Sequence, residues 1–564
     1  MTKQLIECVP NISEGRDIDK INEIAHIVET VDGVKLLDID PGAATNRTVI
    51  TFVGEPGPVI EAAFRLIKKA AELIDMSQHS GEHPRFGATD VCPLVPIAGI
   101  SLEEAATYAH QLGARVGEEL GISGYFYENA AKQEVRKNLA TCRSGEYEGL
   151  KEKLSHSEWA PDFGPAQYSD IVKASGVTAI SARDFLVAYN INLNTTSTRR
   201  ANAIAFDMRE AGRIKREGDT ITGKIVKDAN GNPVTVPGQL KAVKGIGWFI
   251  PEYGIAQISY NLTNISITSV HEAFDKTVTS AQERGIRVTG SELIGLIPLK
   301  AMLDAADYFL IKQERSLGVS EEEKIKIAVK SLGLDDLKPF HPNEKIIEYV
   351  LRDATAAPLL HMNLREFANE TAGESPAPGG GSIAAYVGAL GVSLGTMVAN
   401  LSAHKRGWDD KWEFYSKWAV KGAIYKENML ALVDEDTSAF NKIMDAFGLP
   451  KGSEEEKSAR SQAIQDATKY AIEVPMLVME TAFASMEVMN EMVDTGLQSS
   501  LSDAAVGALC ARTAVMGAFL NVKINTGDLT DQVFKSEMLK KGAKIEKDAL
   551  ALEAIILEKV NQKL

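Results

Sequence analysis

One uncharged stretch, Ile383–Ala403, most constrains what this 564-residue chain folds into. It is about as long as a membrane span. Ala, Gly and Ser dominate it, however, and it includes Asn400. We therefore expect a buried core helix in place of a membrane helix. Gly391 and Gly395 lie four residues apart, which would let a neighbouring helix approach closely.

Strand patterns disappear after about Pro378. From there, helical apolar spacing predicts five long helices at Ser382–Ala403, Asp409–Phe447, Glu454–Glu491, Asp503–Asn521 and Lys535–Val560. We expect an all-helical domain over residues 362–564, and the proline-containing segment 342–361 reads as the linker that precedes it.

The first half alternates strand and helix patterns in two units of similar length and element order, at residues 1–178 and 179–341. This order suggests a structural duplication, although no residue-level repeat is visible. Ser101 with Glu104 three residues later predicts a capping box at the start of a helix.

A strong turn cluster interrupts the second unit at Asp228–Pro233. It lies between the strand-like segments Thr220–Val226 and Val234–Val236, which predicts an exposed hairpin insertion at about residues 216–239.

The hydrophobic content, the net charge and the cysteines exclude or disfavour several classes of protein. A hydrophobic content of 45% excludes a disordered chain, and a net charge of −16 disfavours a broad nucleic-acid surface while allowing a local basic pocket. The N-terminus has no basic segment followed by an apolar core, and the four cysteines form no Cys-x-x-Cys pair. We therefore expect a cytoplasmic protein without a secretory signal or a zinc ribbon.

The densest polar cluster runs from His79 to Arg85. Its two histidines match an inverted zinc-protease spacing, but Gly81 and Pro84 break the continuous helix that such a site requires. As a polar loop, it offers His83 as a proton carrier, Glu82 to orient it and Arg85 to hold a carboxylate. A plain solvated loop remains the alternative. Asn46 and Arg47 belong to a second polar group, for which turn chemistry is the alternative.

The helical half offers a buried acid. Helical spacing places one apolar stripe on this segment, formed by Met429, Val433, Phe440, Ile443 and Phe447. Asp436 falls on the stripe, whereas Asp434 points to nearly the opposite side of the helix. We therefore predict that Asp436 is the buried carboxylate, either as hydrogen-bonded structure or as an acid/base.

Two further features accompany this acid. The uncharged helix begins with Gly379, Gly380, Gly381 and Ser382. Backbone N–H groups exposed at a helix start favour the binding of an anion. The alternative role of these glycines is close packing. Asp503 either complements a helix dipole or lines the same pocket.

Several motifs resemble known families. Four motifs in the first half resemble those of glutamate formimidoyltransferases. They are Glu7-Cys-Val-Pro-Asn-Ile-Ser-Glu-Gly15, Thr45-Asn-Arg-Thr48, Gly81-Glu-His-Pro-Arg85 and Trp159-Ala-Pro-Asp-Phe-Gly164. Ala377-Pro-Gly-Gly-Gly-Ser382 and Val433-Asp-Glu-Asp-Thr-Ser-Ala-Phe440 resemble formimidoyltetrahydrofolate cyclodeaminases. The resemblance covers nearly the whole chain and indicates the bifunctional family that fuses the two.

The resemblance implies two reactions in histidine breakdown. The formimidoyl group passes from N-formimidoyl-L-glutamate to N5 of tetrahydrofolate, and the product then loses ammonia to give 5,10-methenyltetrahydrofolate. Tetrahydrofolate, plain or polyglutamylated, is the co-substrate, and no metal is needed. The implied fold is two α+β, ferredoxin-like subdomains followed by an all-α domain. Alternatives are another donor, such as formimidoylglycine, and a non-catalytic folate-binding protein.

The resemblance also implies residue roles. His83 is the expected transferase acid/base and Asp436 the expected cyclodeaminase acid/base. The residues expected to bind folate or substrate are Asn46, Arg47, Glu82, Arg85, Gly164, Pro165, Gly379, Gly380, Gly381, Ser382 and Asp503. We expect no nucleic-acid or membrane partner, and we expect a homo-oligomer because the small-residue surface of the uncharged helix demands burial.

Overall fold

The computed structural model describes residues 4–42, 46–80, 85–219, 222–351, 358–375, 377–527 and 529–564. The chain divides into two units by internal packing, and each is described by itself. The first comprises Met1–Pro298, Leu334–Pro339 and Glu344–Ile347, and the second comprises Leu299–Gly333, Phe340–Asn343 and Glu348–Leu564. The domain boundaries predicted from the sequence, at residues 178, 341 and 361, stay predictions.

A seven-stranded sheet organises the start of the first unit. Its strands are β1 (Leu5–Cys8), β2 (Asn11–Ile12), β3 (Val34–Gly42), β4 (Arg47–Gly54), β5 (Thr89–Ala98), β6 (Gly124–Glu128) and β7 (Thr178–Ala182). β1 and β2 form one interrupted strand between β4 and β5, and β3 pairs with the other edge of β4. β7 lies between β5 and β6 and is parallel to both, so this sheet continues beyond residue 178.

Helices accompany this sheet at α1 (Ile18–His26), α2 (Pro56–Leu73), α3 (Leu102–Leu120), α4 (Leu139–Cys142), α5 (Leu150–Lys153) and α6 (Asp170–Ser175). Alternation along β1 places Ile6 and Cys8 in the main core with α2 and α3. The predicted capping box is confirmed, since Ser101 accepts from the backbone N–H of Glu104 while the Glu104 carboxylate accepts from that of Ser101.

The second sheet is smaller and fully antiparallel, in the order β11-β12-β8-β13. The elements of this part are β8 (Val187–Leu193), α7 (Thr198–Met208), β9 (Arg213–Ile214), β10 (Thr235–Val236), β11 (Val243–Ile250), β12 (Ile255–Leu262), α8 (Val270–Gln282) and β13 (Val288–Ile294). Its strand–helix–strand–strand–helix–strand order repeats the order β1-α1-β3-β4-α2-β5 of the first sheet.

The predicted hairpin insertion forms with a different strand pairing. Its turn is present, because the backbone N–H of Asp228 donates to Asn232 and Gly231 has φ of 83°. The two-stranded ladder joins β10 to β9, whereas the described residues of the two predicted arms meet only beside the turn, where the backbone N–H of Val234 donates to the carbonyl of Val226 at 2.9 Å. Within the first arm, residues 220 and 221 lie outside the described residues. The insertion is therefore anchored on the segment that directly follows α7.

The second unit is helical over its described residues. Its helices include α9 (Leu299–Lys312) and α10 (Glu321–Leu332), with the short helices α11 (Pro342–Lys345) and α12 (Ile347–Val350) at the boundary between units. The remaining helices are α13 (Leu364–Thr371), α14 (Gly380–Ala403), α15 (Trp412–Gly448), α16 (Glu454–Thr495), α17 (Leu501–Asn525) and α18 (Gln532–Lys563). The five predicted long helices correspond to α14–α18.

α14 lies at the centre of this unit and packs against α15, α16 and α17. A Cβ on Gly391 would lie 2.8 Å from the carbonyl oxygen of Gly507, and a Cβ on Gly395 would lie 2.9 Å from the sulfur of Met489. The predicted close helix approach is therefore confirmed at both glycines. Only residues without a side chain let the backbones of α14 and α17 meet in this way.

Two described helical segments, Gly380–Ala403 and Gln498–Asn525, are long and apolar enough to cross a membrane by length and composition alone. Of the most apolar part of each segment, 61% and 50% of the residues are buried inside the helical unit. Core helices of a helical bundle pass the same test, and the buried face of α14 agrees with the predicted core helix.

Glu7 is a buried acid in the middle of the first sheet. It is 5% exposed and pairs with Val53 and Val95 on the neighbouring strands. Burial raises its pKa from 4.5 to about 7, and Arg183 opposes part of this rise. Because the raised pKa belongs to the folded state, stability is fully present below pH 4.5 and falls as the pH rises to about 7. The loss amounts to roughly 3 kcal/mol.

Glu7→Gln should therefore raise the melting temperature by several degrees at pH 8 and much less at pH 5, because the amide stays neutral at both values. Differential scanning fluorimetry of both proteins at the two pH values measures this. An equal shift at pH 5 and pH 8 would contradict the assignment of a buried, proton-binding carboxyl group.

Candidate functional site

Asn46 ties three segments together at one end of the first sheet. Its side-chain oxygen accepts from the backbone N–H of Gly15 at 2.9 Å, and its side-chain nitrogen donates to the carbonyl of Ser80 at 2.9 Å. A side chain at position 15 has no room, because a Cβ there would lie 2.4 Å from the carbonyl oxygen of Gly42. The Asn46 amide is thus committed to holding the loop that begins at Ser80.

His79 is held between Asn46 and Arg85. Its Nδ1 accepts from Nε of Arg85 at 3.3 Å, so the hydrogen lies on Nε2, which donates to the carbonyl of Asn46 at 3.0 Å. Burial lowers the pKa of His79, and the nearby Arg85 adds to this effect. His79 is therefore favoured as a neutral imidazole of defined orientation.

Arg85 already has a carboxylate partner within the chain. Its Nη1 and Nη2 donate to the two oxygens of Glu148 at 2.9 and 2.7 Å, and Nη1 also reaches Glu146 at 3.3 Å. The sequence predicts that Arg85 holds a carboxylate in this two-pronged manner, and the structure supplies a protein side chain in that place. A ligand carboxylate at Arg85 would have to displace Glu148.

Arg47 lies beside a buried acid. Asp90 is fully buried and accepts from the backbone N–H of Phe86 at 3.1 Å and from Nη2 of Arg143 at 2.7 Å. Nη2 of Arg47 lies 3.9 Å from the same carboxylate. Two guanidinium groups therefore share one carboxylate, and these three groups together carry a net positive charge.

The turn at Gly164 and Pro165 packs against the residues that precede β6. Gly164 has φ of 76° and a Cβ there would lie 2.3 Å from the carbonyl oxygen of Ile122, so the turn requires glycine. Ser123 donates to the carbonyl of Pro165 at 2.6 Å.

Tyr147 links α6, which follows this turn in the chain, to Arg85. Its backbone N–H donates to the carbonyl of Arg85 at 3.0 Å, and its hydroxyl donates to the carbonyl of Lys173 at 2.6 Å. The structure thus brings the predicted residues Asn46, Arg47 and Arg85 to one end of the sheet, with the segment that follows Pro165 alongside.

Residues 81–84 lie outside the described residues, and His83 and Glu82 are among them. Their predicted roles are therefore not tested by geometry. The flanking residues are well defined, since Ser80 is bound by Asn46 and Arg85 donates back to the carbonyl of His79 at 3.3 Å. The described residues on either side of 81–84 are therefore held at neighbouring points.

The helical unit holds a second polar site around Asp436, on α15. One oxygen of its carboxylate accepts from the backbone N–H and the hydroxyl of Ser382, at 2.8 and 3.1 Å. A Cβ on Gly381 would lie 2.0 Å from the other oxygen, so the carboxylate can occupy this position only because residue 381 is glycine. Burial raises the pKa of Asp436 even though both hydrogen bonds from Ser382 lower it.

Asp436 opens into a cavity of about 180 Å³. Its other lining residues include Gly379, Gly380, Thr437, Phe440, Ile443, Asn521 and Asn525. The amide nitrogens of Asn521 and Asn525 donate to backbone carbonyls at 2.9 and 2.7 Å. Each amide is thereby held in place, with its side-chain oxygen left to accept from a ligand.

The prediction that Asp436 alone is buried is wrong. Asp434 is the more buried of the two, at 9% exposed, whereas Asp436 is half-buried. The opposite orientation is confirmed, because the Asp434 oxygens accept from the backbone N–H groups of Leu359 and Leu360 at 3.0 and 3.3 Å. Asp434 thus binds a turn of the chain and not the cavity.

The apolar stripe on α15 is buried only in part. Met429 and Val433 are buried, while Phe440 and Phe447 are 39% and 50% exposed. The residues of the stripe become more exposed where the cavity begins, and Phe440 lines the cavity.

Asp503 is not brought to this cavity. It lies in the first turn of α17, whereas Asn521 and Asn525 lie in the last turns of the same helix. The separation along the helix is roughly 27 Å. Of the two predicted roles of Asp503, the one that remains is to complement the helix dipole at the start of α17 with a negative charge.

Sequence reasoning missed several of these contacts. Glu148 and Tyr147 lie far along the chain from Arg85, and only the turn-forming Gly145 and Gly149 around them marked the segment. Thr437 gave no signal, although its hydroxyl is buried and lacks a hydrogen-bond partner. In the described part of the chain, no group of three or more His, Cys, Asp or Glu side chains could hold a metal ion.

Family comparisons divide the chain in the same order as the two sites. Residues 5–183 match the N-terminal subdomain of the formiminotransferase domain, and residues 188–352 match the formiminotransferase domain. Residues 363–544 match the formiminotransferase-cyclodeaminase family. The fold and sites therefore define a two-part formiminotransferase region followed by a helical cyclodeaminase-type region.

Whole-chain relatives are similar throughout. The formimidoyltransferase-cyclodeaminase of Mus musculus is 41% identical over 555 residues, covering 98% of each chain. The glutamate formimidoyltransferase of Thermoplasma acidophilum is 42% identical and covers 54% of this chain and 92% of its own. The methenyltetrahydrofolate cyclohydrolase of Methylorubrum extorquens is 32% identical and covers 36% of this chain and 97% of its own. The chain belongs to the formimidoyltransferase-cyclodeaminase family.

Gly381→Ala should destabilise the helical unit by about 1–3 kcal/mol, because the added methyl group displaces either the Asp436 carboxylate or the start of α14. Chemical denaturation followed by circular dichroism measures the change.

The matched control is Gly517→Ala on α17, where the new Cβ would come no closer than 3.4 Å to Ala384. This control should be neutral or stabilising by up to about 1 kcal/mol, since alanine favours a helix. Equal behaviour of the two variants would mean that the carboxylate does not rest on Gly381.

Proposed function

We propose that this chain carries out two successive reactions on one folate. In the first, N5 of tetrahydrofolate attacks the formimidoyl carbon of N-formimidoyl-L-glutamate, and glutamate leaves. In the second, N10 of the same folate attacks that carbon, ammonia leaves and 5,10-methenyltetrahydrofolate forms. The membership in the family and the whole-length similarity support both reactions.

The observation that carries the second reaction is the half-buried Asp436 carboxyl group at the mouth of a small cavity. Departure of ammonia needs a proton on the leaving nitrogen, and a carboxyl group with a raised pKa retains one to give. In the preceding ring closure, the unprotonated carboxylate accepts the N10 proton, which it then returns to the departing nitrogen. Asp436 is therefore the proposed acid/base of cyclodeamination.

The cavity suits the reacting end of the substrate. A volume of about 180 Å³ accommodates the formimidoyl carbon and its nitrogens and is too small for a whole folate. The side-chain oxygens of Asn521 and Asn525 are acceptors for the N–H groups of the leaving nitrogen. The exposed face of Phe440 offers an apolar surface to the adjoining ring. We place Gly379, Gly380, Gly381 and Ser382 at the edge of this substrate.

For the first reaction, His83 is the proposed acid/base. It would take the N5 proton during attack and return a proton to the glutamate nitrogen. Support comes from its flanks, where Asn46, His79 and Arg85 hold both ends of the loop. His79, four residues earlier in the chain, is favoured as neutral and so adds no positive charge that would oppose protonation of His83. Glu82 remains the proposed partner that orients His83.

Substrate carboxylates need cations. Arg47 and Arg143 share one buried carboxylate and are the proposed site for an anionic donor, and Arg85 can join only by releasing Glu148. Glutamate and glycine donors differ by one side-chain carboxylate, so competition between the two donors decides whether this excess charge selects glutamate. The segment after Gly164 and Pro165 is the proposed folate contact.

Five further proposals concern the whole molecule. The order β11-β12-β8-β13 with two interleaved helices supports a ferredoxin-like subdomain, and the first sheet repeats this order before adding β7 and β6. We also propose a homo-oligomer, because exposed apolar residues lie on α14 and α17. Four free cysteines support a cytoplasmic protein. We propose that the reactions need no metal and that polyglutamylated folate is accepted.

Reciprocal variants test the assignment. His83→Ala should lower formimidoyl transfer by about 100-fold or more and leave conversion of supplied 5-formimidoyltetrahydrofolate intact. Asp436→Asn should show the reverse pattern, because the amide keeps the shape of the carboxyl group and has no proton to give. Separate assays of glutamate release and of methenyltetrahydrofolate formation measure the two steps.

Matched controls are His156→Ala and Asp445→Asn, which change exposed residues of the same type in the same units. Both should retain both activities. Near wild-type transfer by His83→Ala would refute its assignment, and equal loss of both activities in either variant would point to a shared site.

A further inference from the structure

The hairpin insertion covers a cavity that neither proposed reaction uses. This cavity has a volume of about 460 Å³ and lies between α7 and the β9 end of the insertion. Its polar and aromatic lining residues are Arg199, Asn202, Phe206, Arg209, Arg213 and Arg216. Four guanidinium groups thus converge in a chain whose net charge is −16.

These positive charges are poorly compensated by the protein. Asp207 pairs with Arg213 and also with Arg284, and among the residues that the structure describes it is the only carboxylate paired with any of the four arginines. The side chain of Arg199 makes no hydrogen bond or ion pair with any described residue. Among the same residues, the side chain of Arg216 donates only to the backbone carbonyl of Gly223, at 2.8 Å.

Arg213 is the innermost of the group. Its Nε is buried and has no hydrogen-bond partner, while its Nη2 donates to the carbonyl of Ala203 at 2.6 Å. Burial lowers the pKa of Arg213, and the charge of Arg284 lowers it further. A cation in this position gains stability from any anion that enters the cavity.

The walls of the cavity are rigid and partly aromatic. The Arg209 guanidinium carbon lies 3.9 Å from the centre of the Phe206 ring, so cation and ring stack. Asn202 exchanges hydrogen bonds with the backbone of Gly247 on the edge strand β11, both at 3.0 Å. α7 is thereby fixed against the sheet, and the arginines on it keep their spacing.

We propose that this cavity binds an organic anion with two or more phosphate or carboxylate groups and a planar or apolar portion that packs on Phe206. Planar guanidinium groups match phosphate and carboxylate oxygens in pairs, which a set of lysines would not do. Arg213 comes from β9 and Arg216 from the start of the insertion, so the insertion completes this binding site beside α7. The site is separate from the residues assigned to both reactions.

Isothermal titration of the full chain with ATP and with tri-γ-glutamate, at about 50 mM and about 200 mM salt, tests the proposal. The informative variant is Arg199→Ala with Arg216→Ala, since these two side chains make the fewest contacts and are the least needed for folding. Arg287→Ala is the matched control, an exposed arginine of the same unit away from the cavity.

We expect the wild type to bind at least one probe, the double variant to bind it at least about tenfold more weakly, and the control to bind it unchanged. Binding of ATP alone would assign a phosphate ligand, and binding of tri-γ-glutamate alone would assign a carboxylate chain. Absence of binding by both probes, or equal binding by the double variant, would overturn the proposal. Both catalytic activities should persist in the double variant, so either result leaves the proposed reactions untouched.

Discussion

The contact between the Asp436 carboxylate and the first turn of α14 is the constraint on which the helical site depends. The carboxylate rests on Gly381, where any Cβ would lie 2.0 Å from its oxygen, and it accepts two hydrogen bonds from Ser382. α14 is in turn held in the centre of its unit by glycine contacts with α16 and α17. The acid is therefore positioned by the core of the bundle, and not by a surface loop. Its raised pKa follows from the same burial.

The α+β unit reaches a comparable result by a different route. The proposed acid/base His83 lies outside the described residues, and the protein fixes the residues on both sides of 81–84 with side chains from other segments. Asn46 holds Ser80, and Arg85 is locked by Glu148 and His79. Loops bind ligands well when a rigid scaffold fixes their ends. Two sites of different construction thus belong to one chain.

Much of this arrangement follows from sequence, and some does not. Periodicity located the five long helices and most strands, and the capping box at Ser101 was predicted correctly. Asp436 could be singled out because a helix repeats every 3.6 residues. Glu148 and Tyr147 could not be placed, since their partner Arg85 lies far along the chain and only the tertiary fold brings them together. The burial of Asp434 was missed because a turn near Leu359, and no regular element, covers it.

The most direct test of the account is a coupled assay of the purified chain with tetrahydrofolate and N-formimidoyl-L-glutamate, following glutamate, ammonia and methenyltetrahydrofolate together. Two working sites in one chain predict equal amounts of the three products, with glutamate appearing first. Glutamate without ammonia would mean that the Asp436 cavity does not catalyse the second step. Absence of all three products would contradict the proposed function as a whole.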